Sequence, residues 1–130
     1  MSLQKKGIKP TESELNILKV LWEKGPSNVR EINAALSTIK EVGYTTTLKL
    51  LQIMTEKKLV TRIKDGRNHI YSAAVEQNTA QQQLLDKLLN GVFGGSAKKL
   101  VMQALGTHHP SKKELEEIRE YIDKLDDKNQ

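Results

Sequence analysis

The sequence predicts a mostly α-helical chain carrying one small β-ribbon. Three observations point there. Apolar residues recur at three- and four-residue spacing in six separate segments. Three of those segments open with Thr, Asn or Ser followed three residues later by Glu, the capping-box pattern. One Asp-Gly pair is flanked by short runs rich in β-branched and aromatic residues, the signature of a hairpin.

In order, "TESE" opens the first helix, with Thr11 as cap and Glu14 reaching back. Leu15, Leu18, Leu21 and Trp22 form its apolar face, and Gly25-Pro26 ends it. Asn28, with Glu31, caps a shorter second helix whose stripe is Val29, Ile32, Ala35 and Leu36. After the polar connection "TIKEVG", a third helix runs from about Thr45 to Lys57, with Thr47, Leu50, Leu51 and Met54 inward. "LVTRIK-DG-RNHIYS" then reads as a two-stranded hairpin with Asp65-Gly66 as central pair, Lys64 facing Arg67 and Val60 facing Tyr71. Three helices followed by a two-stranded ribbon is a winged helix-turn-helix, expected over residues 1–74.

Residues 75–130 read as three further amphipathic helices. Thr79 is the expected cap of the first, which bears Leu84, Leu85, Leu88, Leu89 and Val92. "GVFGGS" breaks it, and Ser96 opens the next, with Leu100, Val101, Ala104 and Leu105. "GTHHP" reads as a turn, and "SKKE" starts a last helix with Leu115, Ile118, Ile122 and Leu125. Their 3, 4 and 3 spacing is a short zipper-like seam. So few helical residues bury little apolar surface by themselves, so a symmetric dimer is expected, with Leu84, Leu88, Leu100, Val101, Leu115, Ile118, Ile122 and Leu125 at the contact.

Composition narrows the function. The 130 residues contain no Cys, which excludes disulfides, thiolate metal sites and cysteine catalysis. No apolar run approaches the roughly 20 residues of a membrane span, and no secretory apolar stretch opens the chain, so the expected compartment is the cytoplasm. Met1-Ser2-Leu3 is given no role. Residues 1–74 carry 13 Lys/Arg against 7 Asp/Glu, net +6, whereas residues 75–130 carry 8 against 9, net −1. One half is therefore built to meet a polyanion.

The three consecutive threonines at 45–47 fit that partner. β-Branched residues are poor helix-interior choices, but the leading end of the second helix of a helix-turn-helix enters the DNA major groove. Short hydroxyls there meet base edges or phosphates, and the helix N-terminus favours an anion. Tyr44, Thr45, Thr46 and Lys49 are thus candidate groove contacts, Arg62, Lys64 and Arg67 candidate backbone contacts from the ribbon, and Asn28 a candidate phosphate contact. Taken singly, Thr45 also fits a helix cap, and charged ribbon residues also fit a solvated edge that resists strand pairing.

The segments "TESELNILKVLWEKGPSNVREI", "GYTTTLKLLQIMTEKKLV", "RNHIY", "FGGSAKKLV" and "SKKELEEIREYIDK", in this order, resemble the penicillinase-repressor family, the BlaI/MecI/CopY group of bacterial transcriptional repressors. The resemblance runs along almost the whole chain. It implies a homodimer that binds a palindromic double-stranded DNA operator and blocks transcription of adjacent genes. It also implies, for the antibiotic-resistance branch, release when a membrane sensor-protease system triggers cleavage in the dimerisation region.

The chain departs from that family in four places. The copper-responsive branch carries a Cys-x-Cys pair, absent here. The resistance branch is cut between Asn and Phe, and aligned on "KLVM" that bond falls at Gln103-Ala104. Lys58 stands where Gly often ends the recognition helix; a left-handed Lys costs about 1 kcal/mol, so a differently built turn is expected. Ile53 replaces a frequent Arg on the exposed face, removing one candidate phosphate contact.

His69, His108 and His109 suggest a metal site or a pH sensor, but adjacent histidines rarely both reach one ion, and Gly106, Thr107 and Pro110 read as a turn. Glu114, Glu116, Glu117 and Glu120 read as a solvated face. No phosphate loop or nucleophile set is present, so neither enzymatic activity nor a cofactor is expected. The competing reading is a winged-helix protein-interaction module without sequence-specific DNA binding, which an apolar Ile53 on the exposed face favours.

Overall fold

The computed structural model describes residues 9–129; Met1-Ser2-Leu3 lie outside them. The chain forms two compact units that divide in sequence between Leu85 and Asp86. The first contains α1 (Glu12–Lys24), β1 (Ser27–Asn28), α2 (Val29–Leu36), α3 (Tyr44–Glu56), β2 (Val60–Asp65), β3 (Asn68–Ala73) and the start of α4 (Gln77–Gly91). The second contains the rest of α4, α5 (Ala97–His108) and α6 (Lys112–Lys128).

Both expected capping boxes of the first unit form. Thr11 Oγ1 accepts from Glu14 N–H and Thr11 N–H donates to Glu14 Oε1 at 2.9 Å. Asn28 and Glu31 repeat the exchange at the start of α2. The core gathers the apolar stripes of the helices on the inner face of the sheet: Ile17, Leu18, Val20, Leu21, Val29, Ile32, Leu36, Leu51, Met54, Leu59, Val60 and Tyr71. Ile17 and Val20 extend the α1 stripe beyond the residues its spacing nominated. Trp22 packs at the margin and donates its indole N–H to Val75 O at 2.9 Å, which fastens the segment after β3 to α1. The Tyr71 hydroxyl is buried without a partner among the described residues, at a desolvation cost of about 1–3 kcal/mol.

The ribbon has three strands, not two. Ser27 and Asn28 pair antiparallel with Tyr71 and Ile70, which gives the strand order β1-β3-β2. Two residues after a Gly-Pro stop, the second of them already a helix cap, carry no period-2 signal, so their pairing as a strand was not legible. The hairpin register also corrects the expectation. Asp65 pairs with Asn68, Lys64 with His69, Arg62 with Tyr71 and Val60 with Ala73, so the central pair is Gly66-Arg67. Gly66, at φ +66°, is the only one of that pair with positive φ, which matches a turn with Gly at its first central position.

The turn after α3 keeps the left-handed form despite its Lys. Lys58 sits at φ +66°; its N–H reaches Thr55 O at 3.1 Å, and Leu59 N–H reaches Met54 O at 2.9 Å. These are the two bonds of the Schellman motif. Burial of Leu59 and Val60 next in sequence fixes the chain direction and outweighs the local strain. Lys58→Gly should therefore raise unfolding free energy by about 0.5–1 kcal/mol in urea titrations, whereas a loss would show the strain is relieved some other way.

Helix α4 begins at Gln77, so Thr79 lies inside the first turn and is not its cap. The Phe93–Ser96 linker uses Gly94 and Gly95 at positive φ. Ser96 caps α5 as expected, but Gly106, Thr107 and His108 continue the helix, and the turn shrinks to His109-Pro110, with His109 left-handed. Ser111 and Glu114 form the third capping box. No helix of the described residues is long and apolar enough to cross a membrane.

Candidate nucleic-acid interface

The leading end of α3 is built from hydrogen bonds inside the helix-turn-helix. Gly43 is the N-cap, in extended backbone, and supplies no side-chain cap. Tyr44, Thr45 and Thr46 are therefore the first three helical residues, their amides left without a capping side chain at the positive end of the helix dipole. Thr45 is not the cap. All three side chains are exposed, whereas Thr47 is fully buried.

Thr47 Oγ1 donates to Gly43 O at 3.2 Å and accepts from Asn33 Nδ2 at 2.9 Å. The other Asn33 amide hydrogen goes to Val42 O at 2.8 Å. One α2 side chain thus ties the connecting loop and α3 together. The far end of α3 is held by Lys57, whose Nζ lies 2.7 Å from Glu14 Oε1. Glu14 is 2 % exposed. Burial by itself raises its carboxyl pKa, but the Lys57 ammonium and the Thr11 N–H outweigh it and hold the group below its ordinary value.

Lys49 and Ile53 are exposed one and two turns beyond Thr45 and Thr46. On the ribbon, Arg62, Lys64 and Arg67 are exposed; Arg62 and Lys64 share a strand face by alternation, and Arg67 sits in the turn. Asn28 is half-buried, and its amide oxygen accepts from Glu31 N–H at 2.8 Å, so that oxygen already serves as a cap.

A cleft of about 160 Å³ joins three elements: Asn28 and Arg30 at the start of α2, Tyr44 at the start of α3, and Arg67, Asn68 and His69 at the hairpin turn. Among the described residues, no carboxylate lines it. Sequence reading did not single out Arg30 or place His69 beside it, and it passed over Asn33. The first two are 39 positions apart, and only the β1–β3 pairing, with Asn28 opposite Ile70, brings them together.

The candidate dimerisation residues leave apolar surface open. Leu88, Val101, Ile122 and Leu125 are exposed, and Leu84, Leu100, Leu115 and Ile118 are only half-buried; Met102 and Tyr121 add exposed apolar area. No side chain of α5 or α6 is buried. Gln103 and Ala104 are exposed inside α5, where Gln103 Nε2 donates to Thr107 Oγ1 at 3.3 Å. Among the described residues, no group of His, Asp and Glu is arranged to hold a metal ion.

Comparison with known proteins finds relatives along the chain. A penicillinase repressor of Staphylococcus aureus is 24% identical over 123 residues, covering 95% of this chain and 98% of that protein. The transcriptional regulator BlaI of Mycobacterium tuberculosis (strain H37Rv) is 37% identical over 60 residues, 45% of this chain and 44% of that protein. The solution structure of the DNA binding domain of the repressor BlaI matches with a TM-score of 0.50 at 22% identity, over 55% of this chain and 87% of that one, a likeness of fold. The sequence model of the penicillinase repressor family matches residues 10–124. The chain belongs to the penicillinase repressor family.

Proposed function

We propose that the protein is a dimeric, sequence-specific DNA-binding repressor of the cytoplasm, without enzymatic activity or cofactor. Residues 1–74 bind the operator, and residues 75–130 join two copies. The observation that carries this reading is the exposed, uncapped start of α3 set beside a cleft lined with arginine and histidine. Thr45, Thr46 and Lys49 meet base edges in the major groove, Tyr44 meets the adjoining backbone, and Arg62, Lys64 and Arg67 hold phosphates from the ribbon. Two copies related by a two-fold axis read half-sites separated by about 10–10.5 base pairs or a multiple of it.

The name of the family supports repression, and the open apolar faces of α5 and α6 support pairing of two copies. In the resistance-type relatives that the sequence resembles, release comes from a membrane sensor-protease system. A cut at Gln103-Ala104 would separate α6 from the rest, but the bond lies inside α5, so that helix must unwind before a protease reaches it.

The direct-readout role is tested by Thr46→Ala. Its affinity for the protein's own upstream region should fall by about 1–3 kcal/mol in mobility-shift titrations, with random duplex almost unaffected. Equal losses on both duplexes would remove base reading and favour the interaction-module alternative, for which the exposed Ile53 is the supporting observation.

A further inference from the structure

The cleft at the hairpin turn brings together three basic side chains that the reading of α3 does not use as a set. Arg30 comes from α2, and Arg67 and His69 come from the turn and β3. Lys64, paired with His69 across the hairpin, faces it from β2, and Tyr44 faces it from α3. The nearest acid in sequence to Arg30, Glu31, is not among the cleft-lining residues; its carboxylate accepts from the Asn28 N–H at 2.9 Å. Asp65 pairs with Asn68 at the end of the hairpin and is not among the residues that line the cleft. Like charges gathered without an acid repel one another, and an anion between them removes that cost.

Resting on the DNA-binding reading above, we infer that Arg30, Arg67 and His69 form one site for a single phosphodiester of the operator backbone, and that filling it draws a proton onto His69. Two fixed guanidinium charges and an imidazole supply planar, directed donors to the phosphate oxygens, and the Tyr44 hydroxyl adds another. The α2 N-terminus is already satisfied by its own capping box, so the anion is held by side chains and by the uncapped start of α3. Histidine is the side chain whose charge changes between pH 5 and 8, and a phosphate within reach favours its charged form. DNA binding then strengthens as pH falls. Because a phosphate carries no base identity, it strengthens on every sequence.

The full-length protein is titrated at fixed salt, by fluorescence anisotropy, with a labelled duplex from its own upstream region and with a random duplex, at pH 8 and pH 6. The wild type should bind both duplexes roughly fivefold tighter at pH 6 for each half-site occupied. His69→Gln should lose that gain, and His69→Arg should bind tightly at both pH values; His69 is exposed, so neither change disturbs the core. Arg30→Ala should reduce the slope of log affinity against log salt by about one unit for each half-site, on both duplexes. In the NMR spectrum of the full chain, DNA should shift the His69 ring signals, and inorganic phosphate at matched ionic strength should not. A His69→Gln variant that keeps the wild-type pH response overturns the inference, as does an unchanged salt slope in Arg30→Ala. Ring signals that move equally with inorganic phosphate also overturn it, because the site would then be a general anion site. A wild type that binds neither duplex at either pH removes the repressor reading itself.

Discussion

Ile118→Asp should turn the protein into a monomer and abolish operator binding. Ile118 lies half-buried in the α6 seam with Leu115, Ile122 and Leu125, and no side chain of that helix is buried in a single copy. If a second copy supplies the missing cover, the substitution places an ionised carboxylate in an apolar contact, at a cost of several kcal/mol per subunit. That exceeds what a seam of so few residues contributes. Sedimentation velocity should show one species of half the wild-type mass. Operator affinity should fall by a factor of about 10²–10⁴, the gain normally supplied by a second linked half-site. A variant that still sediments as a dimer and still shifts operator DNA would mean that the two copies join elsewhere.

Lys57→Ala should lower stability by about 2 kcal/mol at pH 7, because it strands the Glu14 carboxylate at 2 % exposure. The figure sits below that for a fully enclosed pair, since the Lys57 side chain is 39% exposed and partly screened. The sign of the pH dependence follows from the direction of the shift. Glu14 titrates below its ordinary 4.5 in the folded protein, so its ion pair contributes fully above that value and is lost as pH falls through the folded one. The difference between wild type and Lys57→Ala should therefore be largest near neutrality and shrink in acid. Urea titrations at pH 7 and below pH 4 check this, and a gap of equal size at both would show that Lys57 acts through packing alone.

Much of this molecule was legible in the sequence, and the failures share a cause. Capping boxes at Thr11, Asn28 and Ser111 were readable because each is closed within four residues. The α3 stripe was readable because Thr47, Leu51 and Met54 keep helical spacing. The hairpin was placed correctly but its centre was one residue off. The Asp-Gly signal marks a turn without fixing which pair is central, and the positive φ at Gly66 with an ordinary one at Arg67 selects the other pair. Lys58 was judged by local cost alone, whereas the burial of Leu59 and Val60 decides the turn. His69 was weighed only with His108 and His109, and its place beside Arg30 was missed because no period or motif links positions 39 apart; the two-residue strand that joins their neighbourhoods is too short to announce itself.

The Asn33 amide has one more implication. Its two hydrogens pin Val42 and Thr47 to α2, so the attitude of α3 is settled where the loop enters that helix and not by what lies along the loop. Ser37 and Thr38 donate their hydroxyls to Asn33 O and Ala35 O and so close α2, while Ile39, Lys40 and Glu41 beyond them are exposed. Those last three positions are free to drift in evolution, or to accept grafted residues, without swinging the reading rod, much as a gate stays hung while its chain is replaced.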